Sequence, residues 1–141
     1  MHVVIIGNGP AAINALDHFR RYDRVSPVSI IAKERGPAYS RMLLPYWLEG
    51  RISHKDLFIR GLEYYHHHRA KVYFNSTVEK IDTAQGIARL KDKSCISYDR
   101  LLIATGARPY KPTIARLEGR GVHYLWTQEN VKQLQVDFLP G

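Results

Sequence analysis

The sequence contains one cysteine and no long hydrophobic run. Its single cysteine, Cys95, excludes a disulfide framework within the chain, a CxxC redox pair and a cysteine-rich zinc site, and it is typical of a reducing compartment. No apolar run approaches the ~20 residues that span a bilayer. No basic region precedes the first strand-like run. These absences predict a cytoplasmic chain with no membrane partner.

Acidic residues are outnumbered by basic ones, with 13 Asp and Glu against 21 Lys and Arg and a formal net charge of +8. This excess of positive charge favours an anionic partner, and the candidates are a phosphate-bearing cofactor, a nucleic acid and an acidic protein. Charge alone does not choose among the three. A chain of 141 residues that is 45% hydrophobic and 24% charged has the composition of one globular domain with one core.

The N-terminal part of the chain predicts a β-α-β unit with a right-handed connection. Residues 3–6 form a β-branched run that ends at Gly7, as expected for a strand buried on both faces of a parallel sheet. Residues 7–10 then predict a tight turn into a helix, and residues 28–32 predict a second buried strand that leads to Glu34. The apolar residues predicted on the sheet side of the helix are Ala11, Ile13, Ala15, Leu16 and Phe19.

Further elements are predicted downstream of this unit. Residues 36–50 begin as an irregular segment and become a short helix, and Leu57 to His68 predict another helix with Leu57, Ile59, Leu62 and Tyr65 on its inner face. Strand-like segments joined by short connections predict an antiparallel excursion that includes a small three-stranded sheet; the segments are residues 71–74, 77–82, 86–91 and 95–98.

The last third of the chain returns to the buried parallel pattern in residues 101–104 and stops at Gly106. A loop marked by Pro109, Pro112, Gly119 and Gly121 follows. Thr127 is placed to cap a short closing helix that runs through Leu134.

The spacing Gly7-x-Gly9-x-x-Ala12 lies directly after the first strand and at the start of the first helix, which is the setting of a dinucleotide-binding turn. Gly7 permits the turn, Gly9 lets the backbone approach a pyrophosphate, and Ala12 lets the helix pack closely on the strand. The free amides and the dipole of the helix N-terminus attract phosphates. Glu34 lies ~20 residues beyond Ala12, which is the distance in sequence at which an acidic residue of such a motif accepts hydrogen bonds from the ribose.

The order of these elements, with the motif Ala104-Thr105-Gly106-Ala107-Arg108-Pro109 after the last strand, resembles the FAD domain of the pyridine nucleotide-disulphide oxidoreductase superfamily. The segment Tyr39 to Tyr46 is similar to the one that lies over the flavin in NADH:rubredoxin reductases, ferredoxin reductases and the FAD part of nitrite reductases. The resemblance covers nearly the whole chain. It implies an α/β fold, Rossmann-like, with a parallel sheet and a small antiparallel three-stranded excursion.

The same resemblance implies a set of FAD contacts. Arg41 would face the pyrophosphate or the isoalloxazine, the backbone at Val78 would meet the adenine, and the segment after the last strand would line the cofactor. The complete set of cofactor-binding residues expected is Gly7, Gly9, Pro10, Ala11, Ala12, Glu34, Arg41, Val78, Ala104, Thr105, Gly106 and Arg108. No catalytic acid, base or nucleophile and no metal ligand is expected, because the flavin supplies the redox chemistry.

The sequence departs from the family pattern at three points. Met42 stands where the relatives that reduce disulphides or peroxide have a redox cysteine, and methionine has no thiolate to do that chemistry. Tyr46 stands where ferredoxin reductases have a lysine. The Gly-Asp motif and the second, NAD(P)H-binding domain are not found in residues 1–141, so we expect this chain to be the N-terminal portion of an FAD-binding domain.

The resemblance therefore implies the FAD-binding portion of a flavoprotein that passes electrons from NAD(P)H through FAD to a separate acceptor. The expected partners are a missing C-terminal half or partner subunit and a small electron acceptor, with a homodimer as a further possibility; no nucleic acid partner is expected. On its own the chain is expected to fold, to hold FAD weakly and to lack NAD(P)H oxidation. Two alternatives remain: an NAD(P)-binding Rossmann module, with Lys33 and Arg35 beside Glu34 to accept a 2'-phosphate, and a non-catalytic basic binding module.

Overall fold

The computed structural model describes residues 1–110, 112–113 and 122–138, which belong to two compact units. The first unit is built from residues 1–39 and 59–106, and the second from the described residues of 40–58 and 107–141. The strands are β1 Val3–Ile6, β2 Val28–Ile31, β3 Ala70–Tyr73, β4 Val78–Asp82, β5 Ile87–Leu90, β6 Cys95–Ser97 and β7 Arg100–Ile103. The helices are α1 Pro10–Tyr22, α2 Leu44–Leu48, α3 Leu62–His67 and α4 Gln128–Phe138.

The main sheet of the first unit has the strand order β3-β2-β1-β7, and all of its strands run parallel. The predicted β-α-β unit is confirmed, since β1 pairs with β2 from Val3↔Val28 to Ile6↔Ile31 and α1 connects them. Every residue of β2 is buried. A strand in the middle of a sheet that is covered on both faces loses the usual alternation of apolar and polar residues, which explains why Val28, Ile30 and Ile31 are apolar on both faces. Ser29 is the polar residue of β2, and its buried hydroxyl lies 2.9 Å from His2 Nε2.

Helix α1 covers one face of this sheet. Its buried residues are Ala12, Ile13 and Leu16, which join Ile5 and Ile30 in one hydrophobic cluster. The prediction of Ala11 on the inner face is wrong, because Ala11 is exposed and Ala12 is fully buried in its place. Pro10 occupies the first helical position, and from there Ala12 is the residue of the first turn that faces the strand.

The small antiparallel sheet, with order β4-β5-β6, covers the other face. Ala88, Leu90 and Ile96 pack there against Val4, Ile6 and Ile31. The predicted three-stranded excursion is confirmed, whereas the segment 71–74 belongs to the parallel sheet as β3. The chain leaves β3 through Asn75, whose positive φ of 54° turns it away from the sheet before β4 begins.

Two further predictions about local structure are corrected. The single helix expected over residues 57–68 is a 3₁₀ turn, His54–Leu57, followed by α3, which begins only after Gly61. Leu62 is consequently 54% exposed, and Tyr64 and Tyr65 are the buried residues of α3. Strand β7 pairs in parallel with β1 as expected, but Leu102 and Ile103 are 39% and 62% exposed.

The second unit contains α2 and α4, with Leu44, Leu57 and Val131 buried. Thr127 caps α4, because its Oγ1 accepts a hydrogen bond from the Asn130 amide at 3.2 Å, and the helix continues past Leu134 to Phe138. Gly119, Gly121 and the closing residues 139–141 lie outside the described residues. Among the described helices, none is long and apolar enough to cross a membrane.

Candidate functional site

The carboxyl ends of the parallel strands bring together three of the segments that the sequence marked. The Gly7 amide donates to the Ile31 carbonyl at 2.8 Å, and the Ala104 amide donates to the Ile6 carbonyl at 2.7 Å. The turn after β1 therefore lies between the ends of β2 and β7. In open α/β sheets, the crevice beyond these strand ends is where ligands bind.

Gly7 is required by the fold itself. Its φ is +115°, and a Cβ at this position would lie 2.1 Å from the Ala104 carbonyl oxygen. Any side chain would both strain the turn and push β7 away from β1. Glycine is therefore needed at position 7 for two reasons, the turn itself and the close approach of the segment that begins at Ala104.

Gly9 is not required by any contact among the described residues. Its φ is −96°, an ordinary value, and a Cβ there would meet nothing within 4 Å. Gly9 is also the N-cap of α1, and it has no side chain to hydrogen-bond the first turn. Pro10 carries no N–H, so the amides of Ala11 and Ala12 are the ones without an intrahelical acceptor.

The start of α1 therefore has the features of an anion site. The helix is 13 residues long, no acidic residue lies in its first turn, and Pro10 and Ala11 are exposed. Open amides and the positive end of the helix dipole favour a bound phosphate. A glycine with empty space over its Cβ position leaves room for that phosphate to approach the backbone, so the residues present fit a pyrophosphate-bearing cofactor.

Glu34 lies shortly after the end of β2 and is held from two directions. Its carboxylate accepts a hydrogen bond from the Tyr39 hydroxyl at 2.5 Å, and its backbone carbonyl accepts one from the Asn75 amide at 3.4 Å. Tyr39 is buried and Glu34 is half-buried, whereas the flanking Lys33 and Arg35 are exposed. The carboxylate is thus oriented by a neighbour that the sequence did not identify.

A second set of hydrogen bonds connects the turn after β1 with the segment after β2. The Tyr65 hydroxyl donates to Asn8 Oδ1 at 2.8 Å and accepts from the Ala38 amide at 3.0 Å, and Asn8 Nδ2 donates to the Gly36 carbonyl at 3.4 Å. Burial raises the pKa of the Tyr65 phenol. Asn8 and Tyr65 are far apart in the sequence, and no sequence signal pairs them.

The remaining predicted residues of the first unit lie after β7 and at the start of β4. Thr105 and Gly106 follow Ala104 and are exposed, and Gly106 has a φ of +67°. Val78 begins β4 and packs beside the cluster under the antiparallel sheet, next to an irregularity in the pairing between Val78 and Lys80.

Arg41 and Arg108 belong to the second unit. The Arg41 guanidinium lies over the Trp126 ring, 4.9 Å from its centroid, and donates a hydrogen bond to the Trp126 carbonyl oxygen. Sequence reasoning did not identify Trp126 as the partner of Arg41. Met42 is 84% exposed.

The described residues offer few other reactive groups. No set of three or more His, Cys, Asp or Glu among them is arranged to hold a metal ion. Cys95 is exposed on β6, with Arg89 Nη1 3.7 Å from its sulfur.

Comparisons with known proteins agree with this arrangement. Residues 1–140 match the family model described as pyridine nucleotide-disulphide oxidoreductase. The chain is 32% identical over 133 residues to the assimilatory nitrate reductase electron transfer subunit of Bacillus subtilis, with 94% of the chain and 17% of that protein covered. It is 26% identical over 136 residues to the rubredoxin-NAD(+) reductase of Pseudomonas putida, with 96% of the chain and 35% of that protein covered.

Among solved structures, an NAD-dependent persulfide reductase from A. fulgidus superposes with a TM-score of 0.87 at 28% identity, over 97% of this chain and 27% of that one. The chain spans about a third or less of the length of these relatives. The predicted fold class is confirmed. The chain therefore belongs to the pyridine nucleotide-disulphide oxidoreductase family, an enzyme family of FAD-dependent oxidoreductases of NAD(P)H.

Proposed function

We propose that this chain is the FAD-binding portion of a flavoprotein that transfers electrons from NAD(P)H through FAD to a separate acceptor, without a redox-active cysteine. The observation that carries the proposal is Gly9. It is a glycine at the start of a long helix, with no side-chain cap, an ordinary φ and no atom of the described part of the chain within 4 Å of the position of a Cβ. A ligand phosphate that needs this space supplies the missing reason for the glycine.

Residues at the carboxyl edge would hold the cofactor by different means. The amides of Ala11 and Ala12 would bind the pyrophosphate, and Pro10 at the first helical position would fix the start of the helix from which these amides point. Glu34, oriented by Tyr39, would accept hydrogen bonds from the adenosine ribose. FAD, when bound, supplies the redox chemistry, while the protein binds and orients it. Contacts from Val78, Ala104, Thr105, Gly106, Arg41 and Arg108 are part of the same proposal.

The partners proposed for the whole protein follow from the relatives and from one edge of the sheet. One relative is named a rubredoxin reductase and another an electron transfer subunit, which favours a small electron-carrying acceptor. Leu102 and Ile103 lie exposed on β7, which has β1 as its one described neighbour. We propose that the rest of an FAD-binding domain or a second copy covers this edge. The cytoplasmic location expected from the sequence stays a prediction.

The proposal is tested by titrating the purified protein with FAD and following quenching of flavin fluorescence. Gly9→Val is expected to abolish or greatly weaken FAD binding, because its side chain fills the space of the pyrophosphate. The urea midpoint should change little, since no described atom lies within 4 Å of the new Cβ. Full FAD binding by Gly9→Val would contradict the assignment of this turn.

The same titration separates the alternatives. Glu34→Gln is expected to cost roughly 1.5 to 3 kcal/mol of FAD binding, through loss of charge-assisted hydrogen bonds. A protein that binds NAD(P)H tightly and FAD poorly would be the plain nicotinamide-binding module, with Lys33 and Arg35 on a 2'-phosphate. Retention of nucleic acid that weakens steeply with salt, with no flavin binding, would indicate the basic binding module.

A further inference from the structure

The hydroxyl of Tyr65 joins the two parts of the proposed cofactor site. Tyr65 lies on helix α3, which is distant in the sequence from both the glycine-rich turn and the segment that carries Glu34. We propose that Tyr65 is a positioning residue that sets the phosphate-binding turn in register with the segment that carries Glu34. This inference rests on the proposed function.

The first connection is to the turn. Asn8 lies between Gly7 and Gly9, and its side-chain oxygen accepts the Tyr65 hydroxyl proton at 2.8 Å. The amide group of the same side chain donates to the Gly36 carbonyl at 3.4 Å. Since Asn8 is held at both ends of its amide, the backbone that turns around it is held as well.

The second connection is to the acidic segment. The Ala38 amide donates to the Tyr65 hydroxyl at 3.0 Å, and the next residue, Tyr39, donates to the Glu34 carboxylate at 2.5 Å. The hydrogen bonds thus run in order from the turn through Tyr65 and Ala38 to the carboxylate. A shift of the Ala38 backbone would move the Tyr39 hydroxyl relative to Glu34.

The Tyr65 hydroxyl is suited to this role because it uses its single proton and a lone pair at the same time. Tyr65 is 3% exposed and Ala38 is 1% exposed, so water does not readily replace the bond between them, and the bond to the half-buried Asn8 is shielded on its tyrosine side. Phenylalanine at this position would keep the packing but leave a buried amide and an amide oxygen without their partner. The turn and the acidic segment would then be free to move independently.

Tyr64 provides a matched control on the same helix. It is also buried, and its hydroxyl lies within hydrogen-bond distance of two acceptors on α1, Asp17 Oδ1 at 2.7 Å and the Ile13 carbonyl oxygen at 3.1 Å, both beyond the glycine-rich turn. Burial raises the pKa of both phenols. The two tyrosines therefore differ mainly in what their hydroxyls hold.

The test compares Tyr65→Phe with Tyr64→Phe in urea unfolding and in titration with FAD. Both variants are expected to lose some stability, but only Tyr65→Phe should weaken FAD binding, by about tenfold, with Tyr64→Phe within about twofold of wild type. Hydrogen exchange of the Ala38 amide without ligand should accelerate in Tyr65→Phe alone. In a double-mutant cycle, Glu34→Gln should weaken FAD binding less in the Tyr65→Phe background than in wild type.

Asn8→Ala tests the same connection from the turn, should Tyr65→Phe not fold. It is expected to weaken FAD binding, and adding Tyr65→Phe to it should have less than the additive effect. If wild type binds FAD and both Tyr65→Phe and Asn8→Ala bind it equally well, the positioning role is overturned and the proposed function stands. Equal weakening in Tyr64→Phe and Tyr65→Phe would also overturn it, since that pattern reflects general destabilisation. If wild type binds no FAD, the proposed function fails and this inference with it.

Discussion

Strands β2 and β7 flank β1 on opposite sides with the same parallel pairing over four residues, yet they differ in burial. Val28, Ile30 and Ile31 of β2 are at most 2% exposed, whereas Leu102 and Ile103 of β7 are 39% and 62% exposed. Both strands are mostly apolar in the sequence, with Ser29 in β2 and Arg100 in β7 as their polar residues. The two strands thus have the same backbone pairing with β1, but the side chains of β2 are buried and those of Leu102 and Ile103 are not.

The difference comes from the layers above and below the sheet. Ile30 packs in the cluster beneath α1, and Ile31 packs in the cluster beneath the antiparallel sheet, so alternate residues of β2 are covered on both faces. Of β7, only Leu101 joins either cluster. The core of the first unit is therefore centred on β1 and β2, and β7 is held mainly by its hydrogen bonds to β1.

Substitutions in β2 and β7 should differ strongly in how much they lower the free energy of unfolding. Ile30→Ala should lower the free energy of unfolding by about 4 kcal/mol, because it removes a fully buried side chain and leaves a cavity. Ile103→Ala should change it by less than about 0.5 kcal/mol, because that side chain is mostly in solvent. Urea unfolding of the two variants measures both values. Similar losses in both would mean that β7 is covered in solution by something else.

The junction between β1 and β7 should be more sensitive than the side chains of β7. Gly7→Ala is expected to cost about 3 kcal/mol, since its Cβ would lie 2.1 Å from the Ala104 carbonyl oxygen at a φ of +115°. Gly9→Ala is the control, with a change below about 1 kcal/mol, because no atom of the described residues lies within 4 Å of its Cβ position. Thermal or urea unfolding ranks the two. A Gly9 variant as unstable as the Gly7 variant would refute the distinct roles of the two glycines.

The exposed edge of β7 should control association rather than stability. If a second copy covers this edge, replacing Leu102 and Ile103 together by lysine should reduce that self-association and leave the free energy of unfolding nearly unchanged, because charged residues on an edge strand oppose pairing with another chain. Sedimentation velocity over a range of concentrations detects this. An association that persists unchanged in the lysine variant would place the contact elsewhere.

The smallest expected effect concerns the loop that leads into β2. Hydrogen bonds from Ser26 and Val25 lower the pKa of Asp23 from 3.8 to about 2. Because the pKa is lower in the folded state, the ionised carboxylate stabilises the fold above about pH 4, and this contribution is lost as the pH falls towards 2. Asp23→Asn should flatten that part of the dependence, as measured by urea midpoints at pH 5 and pH 2.5. An unchanged slope would show that Asp23 does not contribute to it.

The parallel β-α-β unit and the antiparallel excursion could be predicted from local patterns, because the β-branched runs and the glycine spacing act over a few residues. The sequence resembles the family in its motifs and in the order of its elements along nearly the whole chain. It also identified Gly7, Gly9 and Glu34 as the residues to place at the strand ends. It could not separate the roles of the two glycines, since only the position of Ala104 makes a Cβ at Gly7 impossible.

The burial of β7 and the partners of the site residues depend on tertiary packing and could not be predicted from the sequence. An apolar run has the same appearance in the sequence whether or not another layer covers it, so Leu102 and Ile103 were expected to be buried. The hydrogen bonds from Tyr65 to Asn8 and Ala38 join residues from three separate segments. Side-chain polarity and spacing carry no information about such partners, because their meeting depends on how α3 packs against the sheet.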